Sequence, residues 1–441
     1  MFKKVSLFLA LSFLMLQGTA QKQNIQSTIN YLKDNDVANA KKMIDEAVNN
    51  ESTKNSAKAW LLKGVIYQAI ATPKDIMPQM QFILNENPYI IDLESANALA
   101  SSTPNAMNEA IEAYRKSISL DPKYSKDELL PLLSSILGIQ FNDGINKMND
   151  NKFVEAYTAF EGVNSLAKMD NGSLWKGRPS LDTAFANAKM YQANSAYNAN
   201  KEEEAINLLE ESLRNPITQS PDLYIMLTDL YGKNNNDALW AQTMKAARIK
   251  YPADKRILTN EINYYIDKGK SEESIAKLKE GILLEPKKAD LYLLLGQTYL
   301  ALSNPMDKSD KPLPRPVNAK ELEQNAINNY LKAAEMDAAN AYAQFNLGLI
   351  YYNQAKVITD EMNDKATDNK KYDALKPGRD ALLDKAMPYL SKAKEIIEKE
   401  GVKDENKSMY RETLTGMMNT YNVSSKTEKA AEVKKKLEGL K

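Results

Sequence analysis

The sequence predicts an all-α protein built from about nine consecutive helix pairs. The first observation is a pattern that recurs nine times with variations: a small residue, in most units a Tyr three positions later, then an Ala or its replacement, nine residues further on where no insertion intervenes, with apolar and small residues four and seven after it. Second, between Leu227 and Tyr299 equivalent positions return at a period of 34 residues. Third, several units end in a Pro, which cannot continue a helix. Spacings of three and four place residues on one helical face, so the pattern indicates helices rather than strands.

Small and apolar residues mark the second helix of each predicted pair. An Ala, or a Trp or Ser in its place, begins each motif, and apolar and small residues follow on the same face. In the last unit Lys434 replaces a core residue, which suits a terminal repeat whose outer face meets water. The nine motifs begin at Ala40, Ala110, Ala156, Ala205, Trp240, Ser274, Ala326, Ala386 and Ala430.

The first helices carry a small residue followed three positions later by a large one, most clearly Gly64 and Tyr67 after Trp60. Small residues let two helices approach closely, and large ones fill the adjoining space. Together these positions resemble the tetratricopeptide repeat, a pair of antiparallel helices about 34 residues long. The resemblance covers essentially all of residues 21–441, and it implies a right-handed α–α superhelix, or solenoid, of about nine pairs.

Three long insertions separate the two helices of a pair, at about residues 71–104, 304–320 and 356–385. The first is too apolar to stay in solvent, so we expect it to be ordered and packed against the array. The second has four Pro residues among charges, which favours an extended, polyproline-like path. The third is rich in helix formers, and we expect both helices to lengthen into a hairpin that is broken at Pro377-Gly378.

The first twenty residues have the pattern of a secretory signal peptide. Lys3 and Lys4 precede an apolar run from Val5 to Leu16, and small residues, Gly18 and Ala20, precede the expected cleavage point. The run has 12 residues, fewer than the roughly 20 that span a bilayer, although an uncleaved anchor is the alternative. We therefore expect a mature chain from residue 21 that is periplasmic or secreted, without a membrane span. It would not be a lipoprotein, because no Cys follows the signal.

The sequence lacks the side chains that several kinds of catalytic and metal site need. The chain has no His and no Cys, which excludes Ser-His-Asp triads, Cys-His dyads, His-bearing zinc sites and disulfides. No dinucleotide or Walker motif occurs. The acidic clusters at 202–204 and 272–273 are typical of a helical first turn. A calcium site at Asp360, Glu361 and Asp364 lacks the loop pattern that calcium sites need. We therefore predict a non-enzymatic protein without catalytic residues, cofactor or metal.

The charges are balanced and interspersed, with 58 Lys and Arg against 58 Asp and Glu. No basic stripe is present to attract nucleic acid, so the predicted partner is a protein or peptide and not a nucleic acid.

The resemblance implies that first helices line an inner, concave groove. Its ends are apolar and its middle is polar. Such a groove could receive a helix or an extended peptide, or it could be filled by the protein's own insertions, because exposed apolar patches are rare on soluble monomers. The candidate partner-binding residues are Phe141, Tyr197, Arg256, Asn263, Phe345, Leu349 and Tyr352.

Trp175 lies in a Gly-rich connection and has no role in the repeat. Beside Lys176 and Arg178 it could contact a peptide or stack on a sugar, so Trp175 and Arg178 are candidate surface contacts. Alternatively, Trp175 fills the gap between adjacent units, as large aromatic side chains commonly do.

These features predict a protein–protein interaction scaffold of the bacterial cell envelope or periplasm. The concave groove and the edge insertions would bind the partner. The alternative is a glycan-binding helical envelope protein, which depends on Trp175 as a sugar platform.

Cleavage of the signal peptide gives the first prediction. We expect the mature N-terminus at Gln21, because the small residues Gly18 and Ala20 precede it. Intact-mass and N-terminal peptide analysis of the protein from its native host would show this, whereas a mass matching the full chain would contradict it.

Overall fold

The computed structural model describes residues 23–125, 128–307, 309 and 311–440. The predicted signal peptide lies outside the described residues. The chain divides into two compact units, residues 1–240 and 241–441, and each is described by itself.

Nine pairs of long helices follow one another along the described residues, which confirms the predicted repeat of helix pairs. The first unit contains α1 (23–33), α2 (Val37–Asn49), α3 (Ala57–Ala71), β1 (Gln79–Leu84), β2 (Asn87–Asp92), the short α4 (Leu93–Asn97), α5 (Ala106–Leu120), α6 (Leu129–Asn149), α7 (Phe153–Ala167), α8 (Pro179–Asn198), α9 (Glu202–Arg214) and α10 (Pro221–Lys233). Helix α11 (Asp237–Lys250) crosses the division between the units. The second unit continues with α12 (Lys255–Asp267), α13 (Ser271–Leu284), α14 (Ala289–Ser303), α15 (Ala319–Met336), α16 (Ala341–Met362), α17 (Asn369–Glu400), α18 (Asp404–Val423) and α19 (Thr427–Glu438).

Pairs without an insertion share one short turn. In each, the two helices are three residues apart and the middle residue has a positive φ, a conformation that Asn and Gly adopt more readily than most residues. The following N–H donates to a carbonyl five residues back, as Asp36 does to Tyr31 at 2.9 Å, and this bond satisfies an otherwise free helix end. The middle residues are Asn35, Asn151, Asn200, Asn235, Gly269 and Ser425.

In three of the described pairs, a Gly of the first helix faces a large buried ring of the second. A Cβ added at Gly144 would lie 2.7 Å from Cζ of Phe160, and one at Gly296 would lie 2.9 Å from Cδ1 of Tyr330. Gly64 meets the ring of Tyr114 in the same way. All three rings are 0% exposed, so these contacts form the centres of their pairs.

In the first unit, neighbouring pairs are joined by the Tyr of the first helix. The Tyr67 hydroxyl lies 2.9 Å from both carboxylate oxygens of Asp45 on the preceding helix α2, and Tyr231 donates to Glu210 on α9 at 2.6 Å. Burial, reinforced by Asp45, raises the pKa of Tyr67 to about 12 although Lys41 opposes the shift. The hydroxyl therefore stays protonated at neutral pH and continues to donate.

A second link between pairs is ionic, and its charges differ between the units. Lys63 of α3 lies 3.5 Å from Asp45 and 3.2 Å from Glu109, which belong to the helices on either side. In the second unit, Glu261 of α12 lies 3.7 Å from Arg248 and 3.2 Å from Lys277. Both central residues stand four positions before the Tyr of their helix. The same position therefore carries a cation in one pair and an anion in another.

The first insertion is ordered and adds a β-hairpin to the otherwise helical chain. Met80, Phe82 and Leu84 of β1 and Ile91 of β2 are buried in the core that they share with the helices of the first unit. The two-residue turn Asn85-Glu86 has positive φ at both positions, as a type I′ hairpin turn requires. The alternation of buried and exposed residues along β1 shows why a strand forms here.

The second insertion folds back on itself, so the expected extended polyproline path is wrong. Met306 and Pro312 form an isolated antiparallel bridge, and the Leu313 N–H donates to the Pro305 carbonyl at 2.8 Å. Arg315 Nε donates to the Ser303 carbonyl at 3.1 Å. These bonds return the chain to the end of α14.

The third insertion lengthens α16 and α17 into a hairpin, but the expected break at Pro377-Gly378 is wrong. Helix α17 runs without interruption through Pro377, although a Pro inside a helix costs about 3 kcal/mol. Packing against α16 supports the helix immediately after Pro377 and further along. Tyr351 stacks on Tyr389 at 6.1 Å between ring centroids, and the Cβ position of Gly378 lies 3.8 Å from Ile358.

The last pair is fastened to α17 by Glu398. Its carboxylate accepts from Tyr410 of α18 at 2.5 Å, from Lys436 of α19 at 2.7 Å and from Lys394 at 3.0 Å. Partial burial would raise the pKa of this carboxyl, but the three donors outweigh burial and lower the pKa to about 2. Three helices therefore meet at one ionised side chain.

None of the helices in the described part of the chain combines the length and apolar character needed to cross a bilayer.

The Gly-to-ring contact can be tested within one helix. We expect Gly144→Ala to destabilise the protein by about 1–3 kcal/mol, because the added methyl overlaps the buried ring of Phe160. Gly138→Ala, also in α6, meets no atom within 4 Å and should stabilise by up to about 1 kcal/mol through helix propensity. Chemical denaturation would measure both, and equal effects of the two changes would contradict the packing argument.

The Glu398 contact predicts a pH dependence. Because its pKa is lowered from 4.5 to about 2, its contribution is present above pH 4.5 and is lost as the pH falls to about 2. We expect Glu398→Gln to destabilise the protein by roughly 1 kcal/mol at neutral pH, since solvent screens this half-exposed group. The difference from the parent should shrink as the pH falls through this range.

Glu395→Gln is the matched control, because Glu395 lies on the same helix and pairs with Lys392 at an exposed site. Thermal unfolding followed against pH would decide the point. A Glu398 effect that persists unchanged at pH 2 would show that the ionised carboxylate is not its source.

Candidate functional site

A cavity of about 550 Å³ opens in the second unit between α14 and α16. Its apolar wall comes from Leu300 and Ala301 of α14 and from Leu349, Ile350 and Val357 of α16. Helix α15 contributes Glu323 and Tyr330, and the second insertion contributes Asn304 and Arg315. We call this space the inner cavity, because Leu349 belongs to the groove positions read from the sequence.

Five amide side chains surround the inner cavity: Gln297, Asn304, Asn346, Asn353 and Gln354. Three of these side chains donate one amide N–H to another group of the protein. Asn346 donates to the Tyr342 carbonyl at 2.8 Å, Gln354 to Glu323 at 3.2 Å, and Asn304 to the Ser303 hydroxyl at 2.8 Å. Each amide has two N–H donors and a carbonyl acceptor, so capacity remains on each for a ligand.

The two charges at the rim neutralise each other. The guanidinium of Arg315 pairs with Glu323, whose second oxygen accepts from Gln354. This pair fixes the second insertion beside α15 and α16. The cavity therefore has a charged rim with no net charge, and its specificity must come from shape and hydrogen bonds.

Tyr330 is 0% exposed, and its hydroxyl has no hydrogen-bond partner among the described residues. The ring packs on Gly296, which places the side chain between α14 and α15. Burial raises the pKa of the hydroxyl well above its ordinary value, so it remains a neutral donor. A buried hydroxyl without a partner costs about 1–3 kcal/mol, which makes Tyr330 an unusual residue beside the cavity.

The structure places only one of the three apolar groove candidates of α16 in the inner cavity. Leu349 lines it. Phe345 packs against the core formed with α17 and α18, and the Tyr352 hydroxyl accepts from Asn419 of α18 at 2.7 Å. These two aromatic side chains thus contribute to packing between pairs.

The two polar candidates of α12 lie outside the inner cavity. Arg256 pairs with Asp254 at the start of the helix, 2.8 Å from Nη2 to the carboxylate, and Asn263 is exposed. Sequence reasoning missed Arg315, Glu323, Asn353 and Gln354. Asn353 could have been found as the residue one helical turn beyond Leu349, whereas Arg315 depends on the folded path of the insertion.

The two candidates in the first unit already have partners. Phe141 packs edge-on against Phe160 and Tyr191, with ring centroids 5.8 Å apart in both cases. The Tyr197 hydroxyl donates to Asp229 at 2.6 Å, and burial followed by Asp229 raises its pKa. Both side chains are half-buried, so part of each remains at the surface.

Trp175 is not the surface contact that the sequence suggested. It is 3% exposed, its indole N–H donates to the Leu166 carbonyl at 2.7 Å, and its ring meets Phe185 edge-on at 5.3 Å. The apolar ring is more stable in this core than in water, so no ring face is left for a sugar. Arg178 is exposed.

A second cavity of about 520 Å³ lies in the first unit, and sequence reasoning did not anticipate it. It is bordered by the start of the first insertion, by α5, and by α6 and α7. Ile76 and Val154 on its rim are more than half exposed. An insertion therefore borders each of the two cavities.

The acidic residues of the third insertion have protein partners. Glu361 pairs with Lys371 at 2.8 Å, and Asp364 accepts from the Ala366 N–H at 2.8 Å. Across the described residues, no group of three or more acidic side chains is arranged to hold a metal ion.

No protein-family model matches the sequence, and no curated protein matches it significantly. Several solved structures are similar to this chain. One is the C-terminal part of a tetratricopeptide-repeat protein from Cytophaga hutchinsonii, with 16% identity over 68% of this chain and 95% of that chain and a TM-score of 0.47.

Two further similar structures are also tetratricopeptide-repeat proteins. One, from Bacteroides fragilis, shares 22% identity and aligns over 52% of this chain and 97% of its own, with a TM-score of 0.33. The other, YrrB, is described as having an unusual peptide-binding site, and it shares 17% identity over 46% of this chain and 88% of its own, with a TM-score of 0.33. At these identities the likeness concerns the fold.

Proposed function

We propose that this chain is a non-enzymatic, exported scaffold that binds an extended, uncharged segment of a partner protein in the inner cavity. The observation that carries the proposal is the lining of that cavity. Apolar side chains and five amides surround a space whose two charges are already paired.

The amides suit a peptide backbone. An extended chain presents N–H and C=O groups along its length, and an Asn or Gln side chain can donate to one and accept from the other. Asn346 and Asn353 are seven residues apart on α16. Seven helical residues rise about 10.5 Å, which equals about three residues of an extended chain. The spacing thus allows an amide contact at about every third peptide residue.

The charge balance favours an uncharged segment. Arg315 and Glu323 bind each other, so a charged peptide side chain would enter without a counter-ion. Transferring an unpaired charge out of water is costly, whereas aliphatic side chains gain by contact with Leu300, Leu349 and Val357. The volume of about 550 Å³ lies within the usual range for ligand sites.

Export is part of the proposal because of the pattern of residues 1–20, and periplasmic or secreted placement follows from it. The absence of His and Cys from the sequence supports the non-enzymatic part. The glycan-binding alternative has lost its support, because Trp175 was its sugar platform and is buried.

The test places a photo-cross-linking amino acid at Asn353 in the native host and measures the partner captured there. Leu349→Asp should lower the yield about tenfold, since it introduces an unpaired charge into the apolar wall. Val317→Asp is the matched control, because Val317 is fully exposed on the second insertion and does not line the cavity.

Circular dichroism and thermal unfolding should first show that both variants remain folded. Equal capture by Leu349→Asp and the parent protein would refute binding in the inner cavity. A captured partner whose cross-linked peptide is strongly charged would refute the proposed chemistry.

A further inference from the structure

Among the residues that the structure describes, no other strand covers the outer edge of β1. The β1–β2 hairpin is a two-stranded sheet, and its register pairs Leu84 with Asn87 at the turn and Gln79 with Asp92 at the far end. In an antiparallel pair, every second residue directs its N–H and C=O to the partner strand, and the residues between direct theirs outward. One edge of β1 is therefore available for pairing.

Two hydrogen bonds establish which residues point outward. The Leu93 N–H donates to the Pro78 carbonyl at 3.0 Å, which extends the hairpin ladder by one step beyond the pair Met80 and Ile91. The Asp92 N–H leaves the hairpin and donates to the Asn35 side chain at 3.2 Å. Gln79, Gln81 and Ile83 consequently turn their backbone groups away from β2. We call these three residues the open edge.

The two edges of the hairpin differ in protection. On β2, Asn35 takes the N–H of Asp92, and Pro88 has no N–H to offer. The open edge has neither a side-chain acceptor for its N–H groups nor a Pro, and β1 contains no charged residue. Within the described residues, no hydrogen bond is formed by the outward backbone groups of the open edge. Soluble proteins usually protect such edges, so an unprotected one indicates a binding surface.

The hairpin is held in place by its packing against the helices and by hydrogen bonds. Met80, Phe82, Leu84 and Ile91 are buried, and Phe82 stacks on Tyr89 with ring centroids 5.1 Å apart. The Ser95 hydroxyl donates to the Asn35 carbonyl at 2.9 Å, which ties the end of the hairpin to the turn between α1 and α2. A preorganised edge loses little conformational entropy on binding.

We infer that the open edge binds an extended segment of another protein, which adds to the hairpin as a third strand. The backbone bonds would supply affinity, and the side chains of alternate residues would supply specificity. On the outer face, Ile83 of β1 is 44% exposed, so uncharged β-branched or aromatic residues of the added strand fit beside it.

A second copy of this chain is the weaker occupant. Pairing of two open edges would join three outward residues from each copy, and such a contact is far smaller than the roughly 1,200 Å² of a stable interface. A flexible segment of another protein can bind through the backbone hydrogen bonds of the added strand alone, without a large buried interface. This inference concerns the first unit and does not depend on the inner cavity.

The test selects binders from a phage-displayed library of random peptides against the full mature chain. Selected peptides should lose about tenfold in affinity for Gln81→Pro, which removes the outward N–H of the open edge without removing a bond of the hairpin. Ile90→Pro is the matched control, because Ile90 faces Gln81 across the hairpin and its N–H points to the other edge. The affinity of Ile90→Pro for the selected peptides should equal that of the parent protein.

Gln81→Lys, compared with Ile90→Lys, repeats the comparison with a side chain that protects edges without altering the backbone. Thermal unfolding identifies any variant that has lost its fold. Selection of no peptide, or of peptides that bind Gln81→Pro and Gln81→Lys as well as the parent, overturns the inference. A parent that sediments as a dimer and becomes a monomer in Gln81→Lys also overturns it, in favour of a second copy.

Discussion

The close approach of the two helices within a pair is the constraint on which the rest of the structure depends. At Gly64, Gly144 and Gly296 the first helix has no side chain, and a buried ring of the second helix occupies the space. A ring that meets a bare backbone fixes the distance between the helices and their rotation about their axes. Residues on the other faces then point toward neighbouring pairs or toward solvent in a repeating order.

Because the packing within pairs is regular, polar residues can vary between pairs. Lys63 and Glu261 occupy equivalent positions with opposite charge, and each lies between two residues of the sign opposite to its own on the adjacent helices. Breaking such a partly buried pair leaves an unpaired charge, which costs more than the pair contributes. These links therefore favour the native order of helices over a shifted one.

Insertions that replace the turns within pairs give the chain its additional candidate binding surfaces. A three-residue turn with one left-handed residue closes a pair with its helix ends satisfied. Where the turn is replaced, the inserted segments form the β-hairpin, part of the wall of the inner cavity and the border of the second cavity. Insertions at turns leave the contacts between helices unchanged, so such surfaces can be added at little cost to the fold.

The sequence by itself determined the helix pairs, because a small residue and a large one at helical spacing have few other ways to pack. It also located the insertions and the apolar character of the first. It did not determine the path of Pro377, where packing against α16 outweighs the local preference of Pro, or the burial of Trp175, which depends on Phe185 and on the Leu166 carbonyl. Leu349 was predicted as a groove residue, but Arg315, Glu323 and Asn353 become neighbours only when the second insertion folds back to the end of α14. Local spacing specifies which face of a helix a residue occupies, whereas contacts between distant segments depend on the whole packed arrangement, and these were decided only by the tertiary structure.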